Sequence, residues 1–313
     1  MDLKYIDGLM GFAIGDALGI PLEKKSREEL LDNPVTKMLG GGIYDLKPGT
    51  WSTNTSLVIA TIDSINNKST IDLNDIALNF VACKNHGHYT PFNEVYNLSE
   101  NCRQAIDIYD EERCDPISCG SLELEDNDYS SLIRILPVAY YALEKKLKDY
   151  EIIELVKDVS SITNAQDISM MACYIFIRFT MFLLNGNDKL SAYSMSKCVD
   201  YSMFSEEAQE AFKRILKDDI SKYKLSSIKS SSNVVDVLES VLWVFLQSGN
   251  YTESMIGAIN LGDATSEIAA LTGALSGITY GYQNIPDVWK ETLLRREYLM
   301  DIFEEFSENK YNN

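Results

Sequence analysis

Histidine, paired cysteine and long apolar runs are scarce in this 313-residue chain, and each scarcity removes a class of protein. There are two histidines, His86 and His88, and six cysteines, Cys83, Cys102, Cys114, Cys119, Cys173 and Cys198, with no CxxC pair among them. Zinc ligands come at closer and more regular spacing, so the cysteines read as free, buried thiols and the histidines as loop or surface residues. Basic residues are also few, 28 Lys and Arg against 47 Asp and Glu, for a formal charge of -19. Such a chain repels a polyanion and has little counterion release to drive its binding, which argues against DNA or RNA as a partner. The longest apolar-rich run, 170–184, carries Arg178 and falls short of the roughly 20 apolar residues of a membrane helix, so it reads as a core helix. Linker-like and low-complexity segments are missing too, and a single domain over 1–313 is expected. The N-terminal run is acidic at position 2 and has no small-residue cleavage site, which predicts no signal peptide and a cytoplasmic protein.

What is present is helical periodicity interrupted by polar turns. In 260–281, NLGDATSEIAALTGALSGITYG, Ile268, Leu271, Leu275 and Ile278 recur at helical spacing, while Gly273, Ala274 and Gly277 leave one face thin enough for another backbone to approach. This predicts a buried central helix. Its polar start admits two readings: a cap made by Thr265 or Ser266 with Glu267 complementing the dipole, or a seat for an anion or a metal-bound phosphate. Residues 5–19 form another apolar helical pattern broken by Gly8, Gly11, Gly15 and Gly19, which implies close helix packing or a ligand approach. Asp16 within it is either an acceptor for backbone groups or part of a site. Glu23 follows Pro21 and Leu22, where that helix should end.

Further polar turns precede apolar helices at Ser52-Thr53-Asn54-Thr55, Ser130-Ser131, 161–167 and 230–233. Arg134, just inside one of these helices, would hold a structural carboxylate or a phosphate. A helical domain whose polar turns gather at one end makes a cleft, the default place for a ligand.

GFAIGDALGIPLE, PGTWSTNTS, SSLIRILP, SSIT, VVDVLESVLWVF and NLGDATSEIAALTGALSGITYG come in an order and spacing that resemble the ADP-ribosylglycohydrolase family, the group that includes the dinitrogenase reductase-activating glycohydrolase. The resemblance covers nearly the whole chain. It implies an all-α, mostly orthogonal helical fold with a cleft for ADP-ribose over two magnesium ions, and hydrolysis of ADP-ribosyl linkages.

The family's metal motifs resemble W-T-D-D-T and N-L-G-D-D-A-D-T. At the matching positions this chain has Ser52, Thr53 and Asn54, and then Ala264 and Ser266 in place of two aspartates, with Glu267 at the threonine. Magnesium prefers anionic oxygens in a strict octahedron, so no binuclear site is expected and no metal cofactor, with a single weak ion at Glu267 the most that remains. The resemblance also places Ser131, Asn164 and Asn233 at ligand-contact positions that have drifted, beside Asp263. Glu23, matching a family carboxylate near the scissile bond, is the candidate base, with Glu267 beside it. The expected function is a catalytically silent or altered relative that binds ADP-ribose, a related nucleotide, or a protein partner such as an ADP-ribosylated or basic protein. The alternatives are a hydrolase working without two magnesium ions and a pure interaction scaffold.

Overall fold

The computed structural model describes residues 3–123 and 126–308. Position 2, used in reading the N-terminus, lies outside them, as do positions 124 and 125 of the acidic segment 114–128. The described residues form helices α1 (Leu3–Gly19), α2 (Arg27–Asp32), α3 (Thr53–Lys68), α4 (Leu73–His86), α5 (Glu100–Glu112) and α6 (Ser130–Ile133). Then come α7 (Leu136–Glu144), the hairpin α8 (Asp149–Ser161) and α9 (Asp167–Leu184), and the short α10 (Lys189–Ser196), α11 (Glu206–Ala211) and α12 (Lys213–Leu216). The chain closes with α13 (Val234–Gln247), α14 (Tyr251–Ile259), α15 (Thr265–Tyr280), α16 (Asp287–Thr292) and α17 (Arg296–Glu308). The architecture is all-α, and only isolated β-bridges occur among the described residues.

The centre is the pair α1 and α15, which pack along their whole length. Their glycines set the separation. A Cβ on Gly15 would stand 2.1 Å from the Ala269 carbonyl oxygen, and one on Gly11 would stand 2.3 Å from that of Gly273. The converse holds for Gly273 against Gly11. Neither backbone can tolerate a side chain there, so the four glycines of α1 serve packing. Tyr251 ties α14 to the pair by donating its hydroxyl to the Gly11 carbonyl at 2.8 Å. Helices α3, α9, α13 and α17 wrap this axis and share its apolar core, while α4 and α5 form a second cluster around Phe80, Cys102 and Ile106 on the outer side of α3.

The stretch 4–22 and α9 are both long and apolar enough to cross a membrane by length and composition, yet each is packed within the protein, 94% and 72% buried. Two expectations need correction. Arg134 is tied to backbone carbonyls and a hydroxyl, not to a carboxylate. Fully buried, it donates to the carbonyls of Val159 and Ser160 and to the Thr163 hydroxyl, and lies 5.1 Å from the Phe80 ring centroid, so it ties the α8–α9 turn to α4. Nor are all the thiols buried: Cys198 is exposed and Cys114 half-buried.

Candidate functional site

The N-termini of α3 and α15 point toward one end of the α1 axis, and α1 with its following turn supplies a buried carboxyl acceptor to each. Asp16, fully buried on α1, accepts the backbone N–H of Ser52 (2.9 Å) and Thr55 (3.2 Å) and the hydroxyls of Ser52 (2.7 Å) and Thr55 (2.6 Å). The Thr55 N–H is an orphan donor of the first turn of α3, so Asp16 serves as the structural acceptor, one of the two roles expected for it. Burial nevertheless raises its pKa to about 6, against the opposing pull of the four donors.

After α1, the turn Ile20–Leu22 starts with Pro21 near its beginning and turns the chain so that Glu23 faces α15. Glu23 Oε1 accepts the Ser266 N–H at 2.7 Å and the Thr265 hydroxyl at 3.2 Å. The expected cap by Thr265 or Ser266 is therefore corrected. The N-cap position is Ala264, which has no acceptor, and the Thr265 hydroxyl also reaches back to the Gly19 carbonyl at 2.9 Å. The cap comes from the far end of the sequence.

Beside Glu23, two amides hold a second carboxylate. Asn97 Nδ2 donates to Glu267 Oε1 at 2.6 Å and to Ser266 Oγ at 3.0 Å; Asn54 Nδ2 reaches the same atoms at 3.4 and 3.2 Å. Glu267 Oε2 is buried without a well-formed hydrogen bond, with the Tyr129 hydroxyl and the Glu23 carboxyl as neighbours. Desolvation, and then the nearby Glu267, push the Glu23 pKa well above the usual carboxylate range. Tyr129, buried in the same place, is raised by its burial and then by both glutamates.

Above this network opens a cavity of about 390 Å³, lined by the carboxylates of Glu23, Asp263 and Glu267, by Lys24, and by Asn97, Tyr129, Ser231 and Ser232. Surface hollows of comparable size lie elsewhere, but this one has buried carboxylates in its floor.

The sequence-derived residues divide into three groups. Glu23, Asp263 and Glu267 line the cavity, and Asn54 and Ser266 lie just beneath, holding Glu267. Ser52 is spent on Asp16 and on capping Asn54 N–H, and the Thr53 hydroxyl donates to the Tyr96 carbonyl. Ser131 is buried with Cys173 Sγ 3.4 Å away, Asn164 is tied to Asp126 and Asp128, and Asn233 caps α13 by accepting Val235 N–H at 2.9 Å. Their near neighbours Tyr129, Ser231 and Ser232 face the cavity instead. Sequence reasoning missed Asn97, whose backbone is left-handed, φ 60°, a conformation that asparagine adopts more readily than most residues.

The comparison with known families decides the affiliation, since the model of the ADP-ribosylglycohydrolase family matches residues 2–313. The chain belongs to that family. Among relatives of this ADP-ribosylglycohydrolase family member, the ADP-ribosylarginine hydrolase Tri1 of Serratia proteamaculans (strain 568) is 27% identical over 96% of this chain and 78% of its own. The ADP-ribosyl-[dinitrogen reductase] glycohydrolase of Rhodospirillum rubrum is 28% identical over 93% and 90%. A solved structure of an ADP-ribosylglycohydrolase-related protein complex superposes with a TM-score of 0.82 at 20% identity over 97% of each chain, which establishes the shared fold.

The donors at the matched metal positions are a poor set for magnesium. Asn54 aims N–H groups at Ser266 and Glu267, Ala264 has no donor, and Ser266 is neutral and already engaged. Among the described residues, no three His, Cys, Asp or Glu side chains gather to hold a metal ion.

Proposed function

We propose that this ADP-ribosylglycohydrolase family member binds ADP-ribose or a related nucleotide in the Glu23–Glu267 cleft and does not carry out the two-magnesium hydrolysis that its resemblance implies. The carrying observation is the Asn54–Asn97 clasp on Ser266 and Glu267, in which Asn54 and Ser266, at the matched metal positions, are engaged with protein groups and carry no charge for a magnesium ion. A cleft that holds no metal pair would lack the Lewis acid that lowers the pKa of an attacking water. What the cleft offers a ligand is recognition: Lys24 for an anionic group, and Asn97, Ser231 and Ser232 for hydroxyls.

The test is thermal stability with ADP-ribose, with magnesium and with both. Ligand binding to the native state raises the melting temperature by mass action, so ADP-ribose alone should raise it and magnesium should add nothing. A shift that requires magnesium sinks the proposal. A protein indifferent to both points to the pure interaction scaffold, for which an ADP-ribosylated or basic protein is the fitting partner.

One observation favours a second reading, an altered hydrolase. Glu23 is buried beside Glu267 and its pKa is raised, so it keeps its proton at a pH where most carboxylates have lost theirs, the state a general acid needs. Release of ADP-ribose from ADP-ribosylated arginine, abolished by Glu23→Gln, would establish that reading over the silent one.

A further inference from the structure

We infer that Cys114 and Cys119 form a reversible redox site, in which a small disulfide of the surroundings converts the two thiols into an intrachain disulfide. The two Sγ atoms stand 3.1 Å apart, so bond formation asks the sulfurs to close by only about 1 Å. The backbone brings them together. Arg113 ends α5 in the left-handed conformation, φ 51°, and the tight turn Pro116–Ser118 then doubles the chain back. That turn is fixed by Asp115, whose side chain accepts Ile117 N–H at 3.3 Å and whose carbonyl accepts Ser118 N–H at 2.9 Å. The other four cysteines are set apart in role: Cys83, Cys102 and Cys173 are buried, and Cys198 is exposed.

The two sulfurs are unequal, which sets the order of attack. Cys119 is buried in the α4–α5 core cluster, and its pKa is pushed up to about 12 by burial, then by Cys114 and by Asp115 and Glu112. Cys114 is half-buried at the rim and meets the reagent first. Its thiolate attacks one sulfur of the small disulfide, forming a mixed disulfide and releasing one small thiolate that takes up a proton. Cys119, having lost its proton to water, attacks Cys114 Sγ as the thiolate and expels the second small thiolate, which takes up a proton. Two protein thiols are oxidised and one small disulfide is reduced to two thiols, so electrons and protons balance. The acidic setting also selects the reagent. Asp115 and Glu112 beside the pair, on a chain of net charge -19, favour a cationic disulfide over an anionic one.

The closed ring would pin a segment that already docks on the α8–α9 turn, through Gly120 N–H to the Ser161 carbonyl (3.0 Å) and Ala165 N–H to the Ser121 carbonyl (2.9 Å). The test treats the full chain carrying Cys198→Ser with cystamine and, separately, with oxidised glutathione, followed by thiol titration and peptide mass mapping. The expected result is the loss of two thiols, a mass lower by two hydrogens on the peptide bearing Cys114 and Cys119, recovery with dithiothreitol, and faster reaction with cystamine. Adding Cys119→Ser should trap the small thiol on Cys114 as a stable mixed disulfide, and adding Cys114→Ser should leave Cys119 unreacted. A full complement of thiols after treatment, or a disulfide mapping to any other cysteine, overturns the inference. So does a Cys119→Ser protein that melts normally and takes up no small thiol.

Discussion

The Glu23 carboxylate and the Ser266 amide, 243 residues apart in the chain, are joined by a 2.7 Å hydrogen bond that closes the N-terminus of α15. The same carboxylate lines the cleft, so one group serves both helix architecture and the candidate site.

That double role separates two substitutions. Glu23→Ala removes the cap and should lower unfolding free energy by about 1–2 kcal/mol. Glu23→Gln keeps an acceptor for Ser266 N–H and relieves the repulsion from Glu267, so it should be as stable as the parent at pH 7 or more so. Urea unfolding of both checks this; equal losses in the two variants would mean that the charge, and not the acceptor, holds α15.

Asp16 sets a pH dependence of definite sign. Its folded pKa, about 6, lies above the ordinary 3.8, so the folded state binds the proton more tightly. The stability this contributes is complete below 3.8 and is lost as pH rises to about 6, on the order of 3 kcal/mol in total. Glu23 acts in the same direction above its ordinary 4.5. Asp16→Asn can still accept the two N–H groups and donate to the Ser52 hydroxyl, so it should lose the Asp16 share of the pH slope. Denaturant midpoints at pH 4, 5, 6 and 7 test this, and an unchanged slope in the variant would refute it.

Returning a carboxylate to the α3 turn should hurt before it helps. Asn54→Asp deletes an amide donor to Ser266 and Glu267 and sets a second carboxyl group beside the buried Glu267, a cost of about 1–3 kcal/mol. Combined with Ala264→Asp and Ser266→Asp, it should create a protein whose melting temperature rises with magnesium while that of the parent does not. Calorimetry with and without the ion decides it; a parent that also responds would show that its neutral donors suffice.

Gly15→Ala should be among the most damaging single-methyl changes in the chain. The new carbon meets a carbonyl oxygen at 2.1 Å, with no flexible side chain to yield, and a loss of about 3 kcal/mol is expected. Gly257→Ala, whose nearest neighbour is a Val244 methyl at 3.1 Å, should be far milder. Parallel thermal melts compare the two.

These particulars show where the sequence was legible. Helix periodicity located α9, α13 and α15 because their apolar stripes are long, and the small residues of 273–277 announced a close neighbour without naming it. That the neighbour is α1 depends on two segments meeting across most of the chain, which no local pattern encodes. The same limit hid the Glu23 cap. Motif matching pointed to helix starts that border the cleft, and several of the side chains it named turn elsewhere. Ser131 and Asn233 turned out buried or capping while Tyr129 and Ser232 face the cavity, since inward direction depends on where each helix begins to wind. Asn97 belongs to a loop with no helical register, so its amide had no pattern to betray it.

The glycine seam between α1 and α15 also dictates an order of assembly. Thr265 and Gly19, in contact within it, are 246 residues apart, so α1 emerges from the ribosome long before its partner exists. At about 5–20 residues per second, the apolar face of α1 waits for tens of seconds before α15 can cover it. The central axis of this fold is thus among the last of its contacts to form during synthesis, and substitutions in the seam should reduce the yield of folded protein in cells as well as its stability once folded.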